Sequence, residues 1–130
     1  MKAILIDVKS KCLEEIEVGN TLQDVYDIVD CSYMDLIKPE NLKENNAFLC
    51  DATAEFESVD NLKGGFKSDF FSDNIIFGNA LVIGINENGT RCDCNVSVVE
   101  LLDHIQFCNE EEVKEEYLKL NKDTSLDLGW

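Results

Sequence analysis

Along this chain the apolar positions switch between a period of two and a period near four, and the switches mark out short strands and helices. Residues 3–8 and 12–18 predict two strands joined by a turn at Lys9, Ser10 and Lys11. In the second strand Ile16 and Val18 alternate with Glu15 and Glu17, the pattern of a strand with one wet face. Gly19 breaks it. Asn20 or Thr21 then caps a helix, with Gln23 or Asp24 as capping partner, and Leu22, Val25, Tyr26, Ile28 and Val29 give it an apolar face as far as Cys31. Residues 33–38 and 46–56 predict a second pair of strands around a turn holding Pro39, Glu40, Asn41, Asn45 and Asn46. On the later strand Phe48, Cys50, Ala52, Ala54 and Phe56 share the more apolar face, opposite Ala47, Leu49, Asp51, Thr53 and Glu55. Residues 57–74 have no clear period, and loops of that length in compact domains are commonly functional.

Residues 75–86 carry the strongest strand signal, and their near-continuous apolarity predicts burial on both faces. Glu87, Asn88 and Gly89 suit a hairpin turn, with a return strand over 90–96. Ser97 and Glu100 form a capping box opening a helix whose stripe is Val98, Leu101, Leu102 and Ile105. A second helix over 110–121 presents Val113, Tyr117 and Leu120 as its apolar positions. The tail from Asp123 to Trp130 is aperiodic, leaving Leu126, Leu128 and Trp130 to dock on the body or on a partner. The sum is a single small α+β domain, a mostly antiparallel sheet of about five to six strands packed with two or three helices. Its core spans 1–108, and 109–130 form an acidic helical extension and tail.

Composition changes the picture chiefly through charge. The 130 residues suffice for one hydrophobic core, and the periodic apolar blocks argue against disorder despite the charge. Against 11 basic residues stand 27 acidic ones, a formal net charge of −16. Residues 1–65 carry 14 Asp and Glu against 6 Lys, and residues 66–130 carry 13 against 5, so both halves are acidic. A net charge of magnitude about 2–8 keeps a small domain soluble. A uniformly negative domain repels nucleic acid and anionic membrane and attracts basic protein surfaces. Residues 1–7 hold only a short apolar run, and no stretch approaches the ~20 residues of a spanning helix, so a cytoplasmic protein is expected. In that compartment the 6 cysteines are expected as free thiols rather than disulfides. Lys outnumbers Arg ten to one and Asn is frequent, which suits an AT-rich bacterial or phage genome.

Three stretches, in this order and spacing, carry a resemblance. They are Met1 to Asp7 with Glu15 to Val18, the helix ending before Tyr33 to Ile37, and Gly78 to Gly84 with Asn86 to Gly89. Together they resemble, over about residues 1–107, a family of small bacterial, phage and mobile-element proteins known as a domain of unknown function. The resemblance implies a small α+β fold and an origin in a phage, prophage or plasmid, and it brings no catalytic residues with it. The extension from Asn109 to Trp130 and the aromatic loop at 66–71 depart from the family pattern. Small acidic phage proteins often act by occupying a nuclease or restriction enzyme of host defence, an analogy of context.

Four constellations could carry chemistry. Glu111 with Glu115, and Glu112 with Glu116, stand one turn apart, and such rows of carboxylates can imitate a phosphate track and occupy a partner's nucleic-acid groove. Glu110, Glu111, Glu112, Glu115 and Glu116, with Tyr117 and Trp130 as aromatic anchors, are therefore the candidate protein-binding residues. Lys63, Gly64, Gly65 and Lys67, followed by Phe66, Phe70 and Phe71, form the alternative: glycine amides and lysines for an anion, aromatics for a base, assembled in one chain or across a homodimer. Against it, the aromatics equally suit plugs of the core. Cys92 and Cys94 would share a strand face but lack companions at metal-ligand spacing, so no metal is expected. His104 is the only histidine, and neighbouring Asp103 diverges from it by about 100° on a helix and cannot orient it. No enzyme and no cofactor are expected. The function expected is that of a non-enzymatic acidic phage or mobile-element factor that binds and inhibits a basic host protein such as a defence nuclease. The alternatives are a small-molecule (nucleotide) binding or sequestering protein and a structural accessory domain.

Overall fold

The computed structural model describes residues 1–19, 21–31, 33–52, 64–71 and 75–128. Its elements run β1 (Lys2–Asp7), β2 (Cys12–Glu17), α1 (Leu22–Val29), β3 (Met34–Ile37), β4 (Asn46–Asp51), β5 (Gly65–Ser68), β6 (Ile76–Phe77), β7 (Ala80–Ile85), β8 (Arg91–Cys92), α2 (Val98–Leu102), β9 (Ile105–Phe107) and α3 (Glu110–Leu128). The main sheet has the order β2-β1-β7-β4-β3 with β8 paired to β7, and a smaller sheet has the order β6-β5-β9. All pairings are antiparallel. The α+β expectation holds.

The sheet is built outward from β7, buried at every position. Its alternation sends Ala80 and Val82 into one core and Leu81, Ile83 and Ile85 into the other. The first core joins Ile4, Ile6 and Phe48 to Phe66 of the small sheet and Leu101 of α2. The second joins Ala3, Ala47 and Leu49 to Val25 and Val29 of α1. Helix α1 forms where the capping box predicts: Thr21 Oγ1 accepts from the Asp24 amide at 3.1 Å, and the Thr21 amide donates back to the Asp24 carboxylate at 3.2 Å. The first turns of α3 pack on the small sheet. Val113 and Tyr117 of α3 pack on Ile75, Phe77 and Cys108.

Several expected elements change. The strand expected over 75–86 is two strands in different sheets, because Gly78 takes a left-handed φ of 81° and the Asn79 side chain accepts from the Val8 amide at 3.0 Å, turning the chain. The expected loop at 57–74 contains β5, whose four residues are too few to show a period. The return strand over 90–96 shortens to Arg91–Cys92, since beyond it the chain leaves β7 and bonds to Lys2 through Asp93 and Cys94. The helix expected to reach Ile105 stops at Leu102, and Ile105 instead pairs with Ser68 in β9. The strand expected over 46–56 is observed to Asp51; its positions 53–56 lie outside the described residues.

Two substitutions test the packing. At Gly84 a Cβ would sit 2.1 Å from the Asp93 carbonyl oxygen, so Gly84→Ala should force β7 and the 93–96 segment apart. Phe48→Ala should cost about 3–5 kcal/mol as a fully buried aromatic deletion. Urea denaturation should rank both far below the wild type. The turn after β1 carries a pH-dependent contribution. Burial tends to raise the Asp7 pKa but is outweighed by the amides of Ser10 and Lys9 and the Lys9 charge, which hold it below the ordinary carboxylate value. A lowered folded pKa stabilises above the unfolded carboxylate range and is lost as pH falls through the folded value. The stability difference between wild type and Asp7→Asn should therefore shrink on acidification, read from urea midpoints at neutral and acid pH.

Candidate functional site

Strands β5 and β9 form a short ribbon in the register Phe66↔Phe107, Lys67↔Gln106, Ser68↔Ile105. The period of two turns Phe66 and Ser68 inward and leaves Lys67 and Gln106 on the outer face. One step beyond the last pair the same face brings Asp69 to His104. The imidazole Nδ1 lies 2.8 Å and 3.0 Å from the two Asp69 carboxylate oxygens. The Phe70 ring lies 4.6 Å from the imidazole, centroid to centroid, and the His104 amide donates to the Leu101 carbonyl at 2.9 Å. Among the described residues, Asp69 and His104 border an open cleft of about 420 Å³ together with Lys67, Phe71, Asp103 and Gln106. With Nδ1–H donated to Asp69, Nε2 becomes an acceptor, and it has no hydrogen-bond partner among the described residues. Such a nitrogen can receive a ligand's N–H or O–H.

Spacing along the chain does not reveal this pair. Asp103 does not orient His104; Asp69 does, 35 residues earlier, and only the β5–β9 pairing joins them. Of the alternative binding residues, Lys67 and Phe71 reach the cleft. Phe70 and Phe71 pack on the Phe48 ring at 5.8 Å and 4.9 Å, and Phe66 is fully buried. Gly64 and Gly65 are drawn into the protein: the Gly64 carbonyl accepts from Gly78, and Gly65 is paired in the ladder and accepts from the Cys108 amide. Lys63 lies outside the described residues.

The acidic row on α3 is divided by its surroundings. Asn109 and Glu112 form a reciprocal cap, Glu112 N–H to Asn109 Oδ1 at 2.8 Å and Asn109 N–H to Glu112 Oε1 at 3.2 Å. Glu112 also stands 3.8 Å from Lys67, and Glu110 stands 3.2 Å from Lys114 one turn on. Glu111 and Glu115 are exposed, with no cation in ion-pair range among the described residues, and exposed Leu118 continues their stripe. Glu116 is half-buried, and Tyr117 packs toward Ile75 and Phe77 rather than standing out as an anchor. Trp130 lies outside the described residues.

The 6 cysteines form no disulfide with one another. Cys12 is exposed, while burial pushes Cys50 up to about 12 and also raises Cys94 and Cys108. Cys92 and Cys94 do not form a pair of ligands on one strand, because β8 ends at Cys92 and Cys94 turns into the core. Among the described residues no three His, Cys, Asp or Glu side chains converge as a metal site, and no helix is long and apolar enough to cross a membrane.

Residues 1–94 match the sequence profile of a family described as "Domain of unknown function (DUF3846)". No curated protein and no solved structure matches the chain. The matched span contains Lys67 and Asp69 and ends before His104 and α3.

The exposed pair at 40% and 65% side-chain accessibility contributes little to folding, about 0–1 kcal/mol. His104→Gln should thus shift the urea midpoint only slightly. In native protein a maleimide should label Cys12 first and Cys50 last; mass mapping of the modified peptides checks this order.

Proposed function

The chain belongs to this family of unknown function, so no activity comes with the fold, and we propose that it is a non-enzymatic acidic protein that binds a basic surface of another protein. The observation that carries this is the exposed carboxylate row Glu111 and Glu115 on α3, which has no ion-pair partner among the described residues, set in a chain of net charge −16. Exposed carboxylates also line the edge strand β2 at Glu14, Glu15 and Glu17. The partner that fits best presents a nucleic-acid groove. Its bound counterions would be released by the carboxylates, as a phosphate backbone releases them in the reverse sense. A host defence nuclease is the partner proposed, occupied and inhibited by a factor of phage or mobile-element origin acting in the cytoplasm. Nucleotide sequestration has less support, because Phe66 is buried in the core and Phe70 and Phe71 pack on the Phe48 ring instead of standing free for a base.

The test is protection of DNA from a panel of purified restriction and defence nucleases. Inhibition should appear at low salt and fade steeply as salt is raised. Glu111→Lys with Glu115→Lys should weaken it by about tenfold or more, since a single close charge pair across an interface is worth about 1.5 kcal/mol or more. Both positions are exposed, so the urea midpoint should stay within about 0.5 kcal/mol of wild type. Inhibition that is absent across the panel, or indifferent to the double reversal, would remove this proposal.

A further inference from the structure

The exposed Asp69–His104 pair adds little to folding, yet the imidazole is held on two sides, by the Asp69 carboxylate and by the Phe70 ring. Fixing a ring this way leaves Nε2 set as an acceptor on the wall of an open cleft. The cleft is rich in acceptors. The Asp69 and Asp103 carboxylates, Nε2 and the Gln106 amide oxygen can all receive N–H groups. Its cation among the described residues, Lys67, stands two residues from Asp69, about 7 Å along the strand, beside Glu112 at 3.8 Å. An anion would meet two carboxylates and the field of a chain at −16.

Among cations, a guanidinium fits best. Its planar fork of five N–H donors matches a carboxylate bidentately, can give a further N–H to an imidazole nitrogen, and lies against aromatic faces such as those of Phe71 and His104. An ammonium offers three donors around a point and needs no flat wall. The apolar side chains that line the cleft, Phe71 and Ile105, offer packing for an aliphatic stem. The geometry points to this cleft as the seat of an arginine side chain presented by the basic partner protein, its guanidinium received by Asp69, Asp103 and His104 Nε2. The assignment rests on the acidic-binder function and gives it a second, sterically defined contact away from the Glu111 and Glu115 stripe.

The single histidine makes the test direct, because its ring resonances report on the cleft alone. The full chain is titrated with N-acetyl-arginine amide at pH 8 and low salt. The His104 ring signals should move along a saturable curve with half-saturation at millimolar concentration, on the order expected for one anchored side chain. Asp103→Asn, which leaves the Asp69–His104 pair intact, should weaken that curve about fivefold or more, and Asp69→Asn should weaken it at least as much. Glu111→Lys with Glu115→Lys should change it by less than about twofold, and N-acetyl-lysine amide should bind more weakly than the arginine probe.

The proposal is overturned if the arginine probe gives no saturable shift, if Asp69→Asn and Asp103→Asn bind it as well as wild type, or if AMP or inorganic phosphate saturates the site instead. The nuclease assay separates the two ideas. Protection that survives Asp103→Asn but fails on α3 reversal drops the cleft and keeps the acidic surface. An arginine titration that holds while no nuclease is protected does the opposite.

Discussion

Burial of β7 on both faces is the constraint from which the rest of the molecule follows. A strand covered on one side by α1 and on the other by a second sheet has no residue able to tolerate water, and each of its six positions is spent on packing. Neighbouring β1 and β4 must then supply alternating partners of the right size, which Ile4, Ile6 and Phe48 do on one side and Ala3, Ala47 and Leu49 on the other. The crossing of the chain after β8 is equally tight, since Gly84 leaves just enough room for the Asp93 carbonyl. Charge is excluded from all of this. The chain's acids are therefore displaced to the edge strand β2, to the solvent side of α1 and to α3.

That displacement has a consequence for recognition. Carboxylates spread over an edge strand and a helix make a general negative field, which favours encounter with a basic surface but does not by itself choose one. Selection needs a shaped contact. For the contact proposed above, the outer face of the β5–β9 ribbon offers a carboxylate and an imidazole hydrogen-bonded at 2.8 Å beside an open cleft. Lys67 links the two regions, lying on the ribbon and reaching toward Glu112 at the start of α3. The family-matched span holds one half of the pair, Asp69, and the segment that follows it holds the other, His104. The candidate site thus takes one residue from the family-matched span and one from the residues just after it.

The sequence by itself determined the outline of this protein. Hydrophobic alternation placed β1, β2, β4 and β7, and the apolar run of β7 announced burial on both faces. Capping chemistry placed the starts of α1 and α2, because Thr21 with Asp24 and Ser97 with Glu100 satisfy amides a few residues away and need no tertiary partner. The overall charge is equally a property of the chain alone. Tertiary structure decided whatever depends on which short segment pairs with which. Residues 65–68 and 105–107 are too brief to show a period and become strands only because each offers the other a hydrogen-bonding edge. For the same reason Ile105 left the helix its spacing suggested, and the chain divided at Gly78 between two sheets. Asp69 and His104 meet through that pairing, which no local rule could foresee. On α3 the spacing of the glutamates, the Asn109–Glu112 cap and the Glu110–Lys114 pair are local to the helix, and what the tertiary structure added was the approach of Lys67 from β5 to Glu112.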